Sequence, residues 1–259
     1  MSARKGGTVL FAPVGRDLRP SFERHPGVRG RQAEAYELAE VVRRLIRLSV
    51  STAPSAAETA ALTVRLTAVA DDMERHLPEV PLPRFVPPEG GELPSDRPIG
   101  DAMPFDVIVG ELNPLALPVT LAFEPPKALG YATFTVAYEG APGCVHGAAL
   151  AATFDIILTA ANAIAGATGP TVRLAQRFRR PTLLGEEAVF EGWVTDVTER
   201  RVFSQGRIVQ GGEVTVEAEG EFAVMRTDGV GRMASGRRRA FDAAGAAGVT
   251  DPAGQELGE

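Results

Sequence analysis

The chain has 259 residues, 44% of them apolar and 23% charged, with a formal net charge of −6. That suits one large domain, or one domain with an appendage. No run approaches the roughly 20 apolar residues of a membrane-spanning helix. The start, MSARKGGTVLFAPVGR, lacks the long apolar stretch and cleavage site of a secretory signal. The single cysteine, Cys144, excludes an internal disulfide framework and a cysteine-rich zinc site. The acidic balance argues against nucleic acid as the main partner. The expectation is a cytoplasmic protein with a small-molecule ligand, and with neither metal nor membrane.

Residues 1–30 show no sustained periodicity and read as an extended arm. Over 31–50, Leu38, Val41, Val42, Leu45, Ile46 and Leu48 form one helical stripe. Ser55 followed by Glu58 is a capping-box signature. The helix it opens carries Leu62, Leu66, Val69, Met73 and Leu77 at spacings of three and four. Residues 31–77 are therefore expected to form a helical hairpin that covers something apolar. Residues 78–104 hold eight prolines and read as a linker. The packed domain is expected over 105–225, followed by a tail, 226–259, of disordered composition.

Within 105–225, alternation predicts strands over 119–123 and 131–138, then a helix over 147–165. Further strands are predicted at about 171–180, 187–197 and 201–210. Gly211-Gly212 turns the chain into a last strand. There Val214, Val216, Ala218, Gly220 and Phe222 oppose Glu213, Thr215, Glu217, Glu219 and Glu221. The order is β-β-α-β-β-β-β with antiparallel hairpins, an α+β class.

The helix, GAALAATFDIILTAANAIA, is apolar nearly all round and is expected to be buried. Asp155 sits in its middle, where an unpaired buried carboxylate is costly. The structural alternative is pairing with an arginine or a hydrogen bond to Thr159. Before the helix, Ala141-Pro142-Gly143-Cys144-Val145-His146-Gly147-Ala148 forms a turn. It ends at a helix N-terminus whose free N–H groups suit an oxyanion. Nothing completes a nucleophilic site around Cys144.

Gly143-Cys144-Val145-His146-Gly147, Asp155 nine residues after the histidine, Thr171, and Arg177-Phe178-Arg179-Arg180-Pro181-Thr182 together resemble the PaaI-type hotdog-fold acyl-CoA thioesterases over about residues 113–225. The family's usual His-Gly-Gly reads His146-Gly147-Ala148 here. The resemblance implies a long antiparallel sheet wrapped around one helix, hydrolysis of an acyl-CoA thioester, and no cofactor. It implies that the Gly147 N–H holds the thioester oxygen with His146 beside it. It further implies that Asp155 activates water or attacks directly, and that Thr171 positions the water. Arg177, Arg179 and Arg180 would contact coenzyme A phosphates, with Thr159 also near the substrate. Cross-strand pairing of these arginines with Glu213, Glu217 and Glu219 is the alternative. Gly147 and Asp155 are too far apart along one helix to serve one carbonyl. The expected assembly is thus a homodimer, or a dimer of dimers, with the site at the subunit interface.

Two other readings belong to the same fold. Glu111-Leu112-Asn113-Pro114-Leu115-Ala116 outlines an enoyl-CoA hydratase motif but lacks its aspartate and histidine, and the acyl-carrier-protein dehydratase pattern, a histidine ahead of a proline-glycine turn and a glutamate on the helix, meets Pro142-Gly143 ahead of His146 and Asp155 here. A non-catalytic acyl-CoA-binding or scaffold protein is suggested by the N-terminal extension and by Ala148.

Overall fold

The computed structural model describes residues 22, 25–79, 82 and 103–224. Most of the expected arm (1–30) and linker (78–104), and all of the tail (226–259), lie outside the described residues. Two helices come first, α1 (Gln32–Ser49) and α2 (Ala56–Glu74). The hairpin β1 (Val119–Glu124) and β2 (Lys127–Thr133) follows, then α3 (Gly147–Ile164). Four strands complete the domain: β3 (Thr171–Phe178), β4 (Glu187–Val197), β5 (Arg201–Gln210) and β6 (Glu213–Ala223). They form one six-stranded sheet in the order β1-β2-β4-β5-β6-β3, every neighbouring pair antiparallel. This is the predicted α+β order.

The second strand is displaced from its predicted position. It covers 127–133 rather than 131–138, because Pro125-Pro126 already turns the chain back from β1. Val136–Tyr138 instead forms a short 3-10 turn, which leaves Val136 exposed and buries Phe134. The β5–β6 turn uses Gly211 and Gly212, both at positive φ (58° and 81°), as a two-residue hairpin of this kind requires.

Helix α3 is the core, as its composition predicts, with ten buried residues. Among the described residues it alone is long and apolar enough to cross a membrane, but here it packs against the sheet. The close approach comes from the strands. Gly130, Gly192, Gly206 and Gly220, on β2, β4, β5 and β6, form a floor without side chains. A Cβ at Gly130 or Gly192 would stand 2.5 or 2.8 Å from Ile157, and one at Gly220 would stand 2.9 Å from Leu158. At Gly206 it would meet the Glu191 carbonyl oxygen at 2.7 Å and Phe154 at 3.0 Å. A backbone oxygen cannot step aside as a side chain can. Gly206→Ala is expected to cost about 1–3 kcal/mol through overpacking, read as a lowered urea midpoint with an unchanged slope.

On the other face, Glu191 accepts from Lys127 (2.9 Å) and Arg207 (3.1 and 3.2 Å). Burial alone would raise this carboxyl, but the two cations outweigh it and hold it below the ordinary carboxylate range. A carboxyl lowered by folding stabilises the fold above its ordinary pKa and loses that contribution as pH falls through the lowered value. Between about pH 7 and pH 3 the wild type should therefore lose more stability than Glu191→Gln. Equal losses in urea titrations would remove this carboxylate from the acid response.

Helix α1 is tied to the body. Ala39 is buried, and Arg43 donates to the carbonyls of Glu111 and Asn113. Phe22, Val28 and Leu112 form a small core with Ala35, Tyr36 and Phe105. Helix α2 has the predicted capping box, with the Glu58 N–H donating to Ser55 Oγ and the Ser55 N–H to Glu58 Oε2. None of its residues is buried.

Candidate active site

The turn before α3 is built as its sequence suggests. Gly143 takes φ +75°, and its N–H donates to the Glu139 carboxylate at 2.7 Å. His146 is the N-cap of α3. Its Nδ1 accepts from the Ala148 N–H at 3.0 Å, so the proton of the neutral ring resides on Nε2. The Ala148 N–H, which sequence reasoning leaves free, is thereby used. Ala149 and Leu150 donate to the His146 carbonyl. Of these first helical amides, only that of Gly147 has no hydrogen-bond partner among the described residues. It lies at the positive end of the helix dipole.

A cleft of about 610 Å³ opens at this helix end, lined among others by His146, Gly147, Leu150, Phe178, Arg179 and Arg180. The Phe178 ring covers Gly147, standing 3.1 Å from where a Cβ would be. Alternation on β3 carries a signal for this contact, since Leu174 packs on the core and Phe178 shares its face. Sequence reasoning did not assign Phe178 or Glu139 a place in the site.

Asp155 is half-buried rather than enclosed. Its Oδ1 accepts from Thr171 Oγ1 at 2.6 Å. A β-bulge between Thr171 and Arg173 turns Thr171 toward the helix, although plain alternation places it with Arg173 on the opposite face. Among the described residues Asp155 Oδ2 has no partner. The Thr159 hydroxyl does not reach the carboxylate; it donates to the Asp155 backbone carbonyl at 2.7 Å. Asp155 and Thr171 are not among the residues that line the cleft.

Arg179 donates twice to Glu217, at 2.7 and 2.9 Å, and Arg180 lies 3.1 Å from Glu213. Arg177 stands opposite Glu217 across the strand pair. The cross-strand carboxylate pairing weighed from the sequence is thus present for Arg179 and Arg180. Thr215, predicted on the wet face, is buried, because Thr182 folds over it and donates a hydroxyl hydrogen bond at 2.9 Å. Asn113, in the hydratase-like stretch, hydrogen-bonds the local backbone of Phe105 and Leu115. Among the described residues no three His, Cys, Asp or Glu side chains gather to hold a metal.

Residues 142–217 match the thioesterase superfamily model. The crystal structure of a thioesterase superfamily protein aligns with TM-score 0.64 and 29% identity, over 73% of this chain and 90% of the other. The packed domain has the hotdog fold, and residues 142–217 within it carry the match to the thioesterase superfamily. The alignment to that solved structure reaches beyond the hotdog domain, since residues 103–224 are less than half of the chain. Two shorter alignments are to the E. coli PaaI protein from the phenylacetic acid degradation operon and to mouse thioesterase superfamily member2. They have 16% and 20% identity, and each has TM-score 0.40 over 42% of this chain and 81% or 83% of the other. No curated protein matches the chain. The resemblance read from His146-Gly147, Asp155 and the strand order is borne out for family and fold.

Proposed function

We propose that this hotdog protein hydrolyses acyl-CoA thioesters to the free acid and coenzyme A. The observation that carries the proposal is the unbonded Gly147 N–H at the start of a helix whose middle holds a carboxylate oriented by a threonine. Thioester hydrolysis needs a donor where negative charge develops and a base for water. The Gly147 N–H donates to the carbonyl oxygen, with His146 Nε2–H close by. Asp155 Oδ2 takes a proton from water as the water oxygen bonds to the acyl carbon, while Thr171 holds Oδ1. The tetrahedral adduct then expels the thiolate, and the proton returns to sulfur as coenzyme A leaves. No cofactor enters this sequence. One cysteine and no cystine pairing suit a reducing cytoplasm.

The two halves of this machinery stand eight residues apart on α3, about 12 Å along its axis. A single carbonyl requires donor and base within roughly 3 Å of adjacent atoms. The separation of the cleft from Asp155 and Thr171 supports a two-fold dimer. In it, the helix start of one subunit faces the helix middle of the other.

Arg177, Arg179 and Arg180 are assigned to coenzyme A phosphates. Their carboxylate partners are solvent-exposed, and such pairs are worth little, so a phosphate can displace them. Replacing all three with alanine should raise KM and leave kcat nearly unchanged, and added salt should shrink the difference. An unaltered KM would return them to a structural role.

The deciding experiment follows thiol release from a panel of acyl-CoA esters with a chromogenic reagent. Tight acyl-CoA binding without thiol release would overturn the hydrolase reading, as would preferential hydration of an enoyl-CoA.

A further inference from the structure

Helix α2 presents an apolar stripe that none of the described residues covers. Leu62, Leu66, Val69 and Met73 are 43%, 46%, 53% and 49% exposed. Most helical stability in proteins comes from tertiary packing of an amphipathic face rather than from propensity. Helix α1 does not provide that packing: its own stripe of Leu38, Val41 and Leu45 is exposed as well. The antiparallel register that would bring the two stripes together sets Glu37 beside Asp72 and Arg44 beside Arg65, like against like.

We infer that α2 pairs with α2 of a second copy of this chain, antiparallel, about a two-fold axis between positions 67 and 68. The stripe is self-complementary in that arrangement. Leu62 faces Met73 of the partner subunit, and Leu66 faces Val69 of the partner subunit. The symmetry repeats both contacts in reverse. The charges beside the stripe then become complementary. Arg65 of each chain lies across from Asp72 of the other, on the flank where coiled helices exchange ion pairs. Among the described residues Asp72 pairs with the neighbouring exposed Arg75, a contact weak enough to be shared. The same helix therefore disfavours α1 and favours its own copy, through the same two side chains.

The test uses the full chain with Cys144→Ala. Chains carrying Leu66→Cys and chains carrying Val69→Cys are co-expressed and mildly oxidised. Covalent dimers should form in the mixture and be scarce with either chain alone. Moving the cysteine pair to Val64 and Asp71, on the opposite side of the helix, should abolish them. Adding Arg65→Asp should cause loss of the crosslink, and combining it with Asp72→Arg should restore it. Rescue by the reversed pair separates a specific contact from a merely damaged helix. A helix closed on its own α1, or one docked on a different protein, would give no crosslink and no charge rescue, and either result overturns the proposal. Thioester hydrolysis plays no part in this readout, so its outcome is independent of the proposed activity.

Discussion

Asp155→Asn should fold normally and lose about 10²–10⁴ in the rate of thioester hydrolysis, the range that follows removal of a general base. The replacement is nearly isosteric. Its side-chain oxygen can still accept from Thr171, so the contact that holds β3 to α3 at 2.6 Å survives. What disappears is the second oxygen with its negative charge, the atom assigned to take the proton from water. Because the position is half-buried rather than enclosed, removing the charge relieves only a modest desolvation cost, and thermal stability should change little. Loss in kcat with KM retained would mark an interaction made in the transition state. Near-normal turnover by a folded Asp155→Asn protein would dismiss this residue as the base.

Mixing two inactive proteins should recover about a quarter of the wild-type activity. Gly147→Pro deletes the unbonded N–H at the first residue of α3, where proline is tolerated. His146 precedes it at φ −62° and ψ 131°, a conformation compatible with a following proline. An added Cβ meets the Phe178 ring, whose 57% exposure leaves it room to swing. Asp155→Asn deletes the base. After co-refolding, random pairing makes about half of the dimers mixed, and each mixed dimer holds one site with both parts intact. Recovery at that level would establish that donor and base come from different subunits. No recovery from demonstrated mixed dimers would confine the site to one protomer and refute the spacing argument.

The parts of this domain that follow from local rules were readable in advance. Helix α3 announces itself by length and apolar content, its start by the proline-glycine turn, and the β5–β6 hairpin by two adjacent glycines. The capping box at Ser55 is equally local. The failures share one cause, which is that alternation assumes an uninterrupted strand. Pro125-Pro126 turned the chain earlier than the apolar pattern of 131–138 implied. Thr171, expected at the site through the family resemblance, does reach Asp155, but by way of the bulge before Arg173, which no alternation pattern records. Thr215 sits at the register shift between β5 and β6, where it leaves the alternation and Thr182 covers it. His146, Gly147 and Asp155 stand out as candidates from the sequence alone. Still, the use of the Ala148 N–H by His146, and the Phe178 cover over Gly147, depend on three-dimensional placement.

An imidazole serves as the cap of α3, and that choice has a consequence that serine or asparagine would not bring. A serine hydroxyl or asparagine amide that caps a helix turns its one polar end to the backbone N–H groups. The imidazole carries two polar atoms on a rigid ring. Nδ1 accepts the Ala148 N–H, and that contact also fixes where the second nitrogen is aimed. Closure of the first turn of α3 and the direction of a ring donor next in sequence to Gly147 are thus set by one side-chain conformation, above a core floored by glycine.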